Sequence, residues 1–380
     1  MVRQVKSWVR VVRHGETPET AADGPSEPSL AEVLLLSATI FTVHLVTVSC
    51  VTRFWEVIPC ALDNPSYLEI ARIIRHWHCP RPFDDPHFWG LPYALAGISK
   101  LFLISEPVAL VLISMLASLA ACVLVHRLYG GWVAMVFIFL NFQWIQLSVE
   151  GGSEPLFACL LYASFLAARS GRWSLAAALA SLSTTVRPVG VFALVSFAAV
   201  LAWRKRYRQL AVITLIGLTV GVFYLLPLRT LAGNLFVNFT GYREDWGPTG
   251  NGCPLTYPFG ALVPSYLLSL HSNNRWYMLV FYSAWLVGGC LGIAAVWLPR
   301  NRRWFSSHPS EALFASIYAL FLLSYNYRDI AWFIPRFFIP VLPLLLYSLR
   351  DWIPRKRRLL WELALLSALV ASAFTAVKWF

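Results

Sequence analysis

Apolar runs long enough to approach a bilayer crossing recur along the whole chain, and no other feature of the sequence restricts its fold so strongly. A helix rises about 1.5 Å per residue, so it needs about 20 mostly apolar residues to cross the hydrocarbon layer. Runs near that length lie at 31–52, 108–126, 132–148, 155–168, 173–186, 189–203, 209–228, 277–298, 312–325, 331–349 and 359–377. Inside lipid no water is present to bond N–H and C=O groups, so each run must satisfy its own backbone as a helix. The expected fold is therefore all-α: a polytopic transmembrane helical bundle of about 10–12 helices. Only 13% of residues are charged, about half of what a soluble domain carries.

Charge orients the bundle. The net charge is +12, and the basic residues sit in short clusters between apolar runs. A nucleic-acid partner would call for a basic patch on a soluble domain, so the partner implied is the lipid bilayer and not nucleic acid. Cytoplasmic loops of membrane proteins are enriched in Lys and Arg. With residues 1–30 as a cytosolic tail, the inner turns hold Arg127, Arg169, Arg172, the cluster Arg204 to Arg208, Arg300 to Arg303, and Arg350 to Arg358. With the four basic residues of the tail, that accounts for 19 of the 31 basic residues. The transmembrane domain, 31–380, then carries two large outer loops, 53–107 and 229–276. The first contains an amphipathic helix at 65–78, suited to the membrane interface, and an apolar helix at 88–104. Gly90, Pro92 and Gly97 interrupt that second helix, so it reads as re-entrant or surface-packed. The hairpin 173–203 is short for two spans, and its tip, Arg187 to Gly190, is expected to reach only part-way.

Several local patterns are weighed and set aside. Val12-Arg13-His14-Gly15-Glu16-Thr17 is similar to the phosphohistidine signature of the phosphoglycerate-mutase-like phosphatases, which needs a soluble α/β domain to follow. Here an apolar run follows instead. No cleavable signal peptide is expected. His76, His78 and Cys79 lack a second ligand pair for zinc. Cys60 and Cys79 would pair only if their loop faces an oxidising compartment.

Three groups could carry chemistry. Asp63 follows the first span and directly precedes the amphipathic helix that contains Tyr67. A carboxylate there suits a base acting between a lipid substrate and one arriving from water; the plainer reading is a helix cap. Glu150 and Glu154 flank a short outer turn, where they could face Asp63, orient an acceptor or hold a metal ion. Glu154 could equally serve the helix dipole. Arg187 and Arg336 lie near outer span ends. Their planar forks suit phosphate, and the plainer reading is snorkelling to headgroups.

Together these residues resemble the GT-C superfamily of membrane glycosyltransferases. The resemblance rests on Asp63 and Tyr67 after the first span, the Glu150/Glu154 turn, the Arg187-Pro188 hairpin, and Pro335-Arg336-Phe337 with Pro340 and Pro343. The stretches Ser153 to Ala158 and Ser183 to Gly190 are similar to the GPI mannosyltransferase II (PIG-V-like) family and its bacterial relatives. Asp63 is followed by Asn64, and the adjacent acidic pair, Asp84 and Asp85, lies later in the loop.

The resemblance implies inverting transfer of a hexose, mannose first, from a polyprenyl-phosphate sugar to a glycan, lipid or protein acceptor. The site would be extracytoplasmic, in a bacterial inner membrane or the ER. Asp63 is the expected base, with Asp84 or Asp85 in reserve. Glu150, Glu154, Asp84 and Asp85 would support the acceptor or a metal, Tyr67 would position substrate, and Arg187 and Arg336 would bind the donor phosphate. No cofactor is assigned; a divalent cation, Mg or Mn, is left open. The rival readings are a transporter or flippase for a lipid-linked or anionic substrate, which should display inverted repeats, and a non-catalytic assembly subunit.

Overall fold

The computed structural model describes residues 26–79, 85–240, 253–265, 267, 276–327 and 330–379. The Val12 to Thr17 string and Asp84 lie outside the described residues. The helices are α1 (Leu30–Val51), α2 (Asn64–His76), α3 (Gly90–Phe102), α4 (Glu106–Tyr129), α5 (Gly131–Leu140), α6 (Phe142–Glu150), α7 (Glu154–Arg169) and α8 (Trp173–Val186). They continue with α9 (Val191–Trp203), α10 (Tyr207–Pro227), α11 (Trp276–Val296), α12 (Pro299–Ser307), α13 (Pro309–Ser324), α14 (Ile330–Phe338), α15 (Leu342–Ser348) and α16 (Arg357–Trp379). Among the described residues no strand forms; an isolated bridge joins Leu255 to Tyr325. The chain is thus an all-α polytopic helical bundle.

Among the described residues four helical segments are long and apolar enough to cross a membrane: Leu30–Val51, Glu106–Tyr129, Tyr207–Ala232 and Arg357–Val377. The number rises to six if each of two bent pairs is one span. The apolar runs had suggested about ten spans by hydropathy, but several of them form helices too short to cross alone. The run 132–148 breaks at Asn141, where α5 and α6 meet at 77°. Asn141 takes an extended backbone, its side chain accepts from the Gln143 N–H, and its amide donates to the Pro335 carbonyl. The run 331–349 also divides, because Pro340 supplies no N–H between α14 and α15. Carbonyls near that break are taken up by tyrosines: Tyr318 donates to Phe337 O and Tyr162 to Ile339 O. Backbone freed at membrane depth needs partners of this kind.

Burial separates the helices by role. Along α5 every residue from Gly131 to Phe139 is buried, so this all-apolar helix is central. In contrast, Ile213 alone is buried on α10, whose many exposed apolar side chains suit contact with lipid tails. α7 packs between α4 and α8, and α16 closes against α1. Helix α3 packs on α2, α4 and α8.

The ends of the bundle differ in charge. At one end Glu27 accepts from Gly131 N–H, His126 meets the Pro28 carbonyl, and Arg357 pairs with Glu32. Arg169 pairs there with Glu311, donates to Leu128 O, and lies over the rings of Tyr129 and Trp304. Arg300 and Arg350 bond to Ser348 O and the Asn301 side chain respectively. The start of α2, the start of α7 and the end of α8 lie at the opposite end.

Candidate functional site

The site begins with a tight turn after α1. Leu62 takes a left-handed backbone, with φ 49°, a conformation that costs a residue bearing a Cβ about 1–2 kcal/mol. Asp63 follows at the N-cap of α2, but its carboxylate caps nothing. Pro65 has no N–H to offer in that first turn. Asn64, buried, donates instead to the carbonyls of Ile58 and Glu150. The cap reading of Asp63 therefore does not hold, and its carboxylate is free to pair with Arg336.

Tyr67, one turn further along α2, is buried and donates to Ser153 Oγ at 3.0 Å. Ser153 belongs to the turn between α6 and α7. Gly151 in that turn has φ 97°, and a Cβ there would lie 2.7 Å from Leu110, so the turn requires glycine. Glu154 then opens α7, and its Oε1 accepts from both Arg187 and Arg336. Its Oε2 is buried without a hydrogen-bond partner among the described residues. Arg187 is placed at the end of α8, just before the 3-10 turn Pro188–Gly190. Arg336 projects from α14 and is 7% exposed.

Two guanidinium groups about 150 positions apart in sequence therefore converge on one carboxylate. Arg336 also reaches Asp63, 273 positions away. A cavity of about 430 Å³ opens beside them, with Asp63, Tyr67, His87, Ser153, Arg187 and Arg336 on its polar side. Asn238 apart, its other walls are apolar or aromatic and include Val189, Phe192, Phe321, Tyr325, Phe333 and Phe337. Among these rings Phe192 meets Phe321, and Phe321 stacks on Tyr325.

His87, which carried no weight in the sequence, lies at the polar end. Its Nε2 is 3.7 Å from Asp63 Oδ1, and its Nδ1 is 2.7 Å from Asp85 Oδ1. Burial raises the pKa of Asp63, but the charge of Arg336 and contact with His87 outweigh it and hold the carboxyl well below the usual range. Burial likewise disfavours the His87 imidazolium, yet its two carboxylate neighbours push the pKa up to about 9. Asp85 is lowered by the same contact, against the effect of burial. The signal that could have found His87 is its place two residues past an acidic pair already singled out.

Glu150 does not join this cluster. Its carboxylate faces away from the cavity, toward His44 Nε2 at 3.0 Å and Thr375 of α16. It reaches the site only through its backbone carbonyl, which fixes Asn64. Glu154 serves the two arginines through Oε1, and neither glutamate lines the cavity. Among the described residues no group of three or more His, Cys, Asp or Glu side chains is placed to hold a metal ion. Cys60 is a free, exposed thiol, so the Cys60–Cys79 pairing does not form. Arg328 and Asp329 lie outside the described residues. Compared with known proteins, the chain matches no family model, no curated protein and no solved structure.

Proposed function

We propose that this chain is a membrane glycosyltransferase of the GT-C kind, moving a hexose, mannose first, from a polyprenyl-phosphate sugar to an acceptor hydroxyl with inversion. The observation that carries the reading is the convergence of Arg187 and Arg336 on Glu154, with Arg336 also paired to Asp63, beside a cavity whose remaining walls, Asn238 apart, are apolar and aromatic. Such a cavity suits a substrate with a phosphate, a sugar and an apolar tail. Asp63 takes the proton of the acceptor hydroxyl as that oxygen bonds to the anomeric carbon. The bond from the anomeric carbon to the phosphate oxygen breaks, and its electron pair leaves with the phosphate. Arg187 and Arg336 meet the charge that develops there. One displacement inverts the anomeric centre. The basic clusters gather at the opposite end of the bundle, which supports an extracytoplasmic site by the charge rule.

The test is purified protein in lipid nanodiscs with a panel of polyprenyl-phosphate sugars and glycan, lipid and peptide acceptors. The expected result is transfer from one donor, release of polyprenyl phosphate, and an inverted linkage. Asp63→Asn should reduce turnover about a hundred- to ten-thousand-fold, the range of general-base contributions, while donor binding persists. Absence of transfer from every donor, or turnover in that variant equal to wild type, would overturn the reading. The transport alternative draws on the two bent helix pairs, but neither break lines the cavity.

A further inference from the structure

We infer that His87, braced by Asp85, is the positioning residue of Asp63, holding that carboxylate toward the acceptor once the donor phosphate has engaged Arg336. The assignment rests on the glycosyl-transfer reading above. In the structure Arg336 approaches Oδ2 of Asp63 and His87 approaches Oδ1, so the carboxylate is gripped from two sides. The two contacts differ in kind. The Arg336 contact is a charge-assisted hydrogen bond. The His87 contact, at 3.7 Å, is close enough for an ion pair and too long for a hydrogen bond. A phosphate that binds Arg336 competes directly with Asp63 for the guanidinium. His87 is then the cation that remains, with a gap left to close.

The brace is independent of that event. Asp85 Oδ1 accepts from the backbone N–H of His87 at 2.9 Å and faces Nδ1 of the ring at 2.7 Å. One carboxylate oxygen thus ties both the loop and the imidazole. The Tyr67 ring stands edge-on to the imidazole at 5.2 Å, and Asn238 donates to the His87 carbonyl. Among the described residues, the charged or titratable groups facing His87 include Asp63 from the turn before α2, Asp85 on its own segment, Tyr67 on α2, and, across the cavity, Arg187 and Arg336. With its pKa pushed up to about 9, the ring is an imidazolium at neutral pH. It needs no proton from the reaction: the acceptor's proton ends on Asp63 and the electron pair on phosphate.

The experiment compares wild type with His87→Gln, His87→Ala and Asp85→Asn in lipid nanodiscs across pH 6–10. In wild type, kcat should fall as pH rises through about 9, because the imidazolium is lost and Asp63 is released. Asp85→Asn should shift that fall to lower pH. His87→Gln keeps an N–H donor without a titrating charge, so the alkaline fall should vanish while part of the rate survives. His87→Ala should lower kcat about a hundredfold, the scale of a misplaced catalytic group, with the donor KM unchanged. Wild-type kcat in His87→Ala, or an alkaline fall that persists in His87→Gln, would overturn the proposal. A readout independent of transfer is NMR titration of the histidine rings, with His87 assigned by its loss in His87→Gln. A ring titrating near the ordinary value of about 6.5 overturns the brace whatever the enzyme does. A ring titrating near 9 in Asp63→Asn also overturns it, since that carboxylate should hold the value up. A ring that titrates as expected in a protein that transfers no sugar strikes the glycosyl-transfer reading instead.

Discussion

Arg336 contacts Asp63 and Glu154 together, while Arg187 contacts Glu154 and lies 3.4 Å from Ser153 Oγ. If both guanidinium groups serve one phosphate, Arg187→Lys and Arg336→Lys should each depress turnover, because an ammonium cannot make the bidentate fork. The double variant should be less impaired than the product of the singles, as for residues acting as a unit. A lysine variant with full kcat/KM would reduce that arginine to a helix anchor. Glu154 is the back wall of the pair. Glu154→Gln leaves the buried Arg336 and the half-buried Arg187 short of a counter-charge, and breaking a buried pair in this way costs about 3–5 kcal/mol. A lower unfolding midpoint in detergent and a higher donor KM are expected, whereas unchanged values of both would mean that Asp63 alone suffices to hold Arg336.

Helices α3 and α8 meet closely at Gly90, where a side chain has no room. A Cβ on Gly90 would lie 2.6 Å from the backbone of Thr185, two residues before Arg187. Gly90→Ala must therefore move α3 or the end of α8, and overpacking of this sort costs about 1–3 kcal/mol. Unfolding should occur at lower temperature, with a raised donor KM because the tip carrying Arg187 shifts. Gly97 in the same helix has open space at its Cβ. Gly97→Ala should be neutral or stabilising by up to about 1 kcal/mol from helix propensity. If the two variants unfold alike, close approach at Gly90 is not what sets the α3–α8 contact. The bent pairs obey the same physics from the other direction. Asn141 breaks an apolar stretch because its side chain serves two backbone groups at once, and that bend places α6 so that the turn after it brings Ser153 and Glu154 to the cavity.

Across the whole molecule the basic clusters and the cavity occupy opposite ends, so a membrane around the bundle would separate them. In an otherwise cysteine-free variant, an impermeant thiol reagent should label Cys60 from one side of sealed vesicles and a cysteine at position 206 from the other. Labelling of both from the same side would invert or abolish the proposed orientation. Cys60 is exposed, which makes it a usable reporter beside Asp63.

The apolar periodicity by itself determined the class of fold, the amphipathic helix after Asp63 and the clustering of charge, because each follows from local chemistry: length against bilayer thickness, spacing around one helix, and the cost of burying charge. Arg187, Arg336 and Asp63 were legible as residue types that a phosphate and a base would need. Their meeting was not, since contacts spanning 273 positions depend on how α2, α7, α8 and α14 stack. The same reason explains Glu150 and Glu154, four residues apart and alike in sequence, which the bend between α6 and α7 sends to opposite sides. It also explains His87, whose imidazolium is favoured by the two carboxylates that folding sets beside it. The division of apolar runs into short helices was hidden as well. Hydropathy records only that a residue can be buried, and the partners that make a break tolerable, the Pro335 carbonyl for Asn141 and the hydroxyls of Tyr162 and Tyr318, arrive from distant helices.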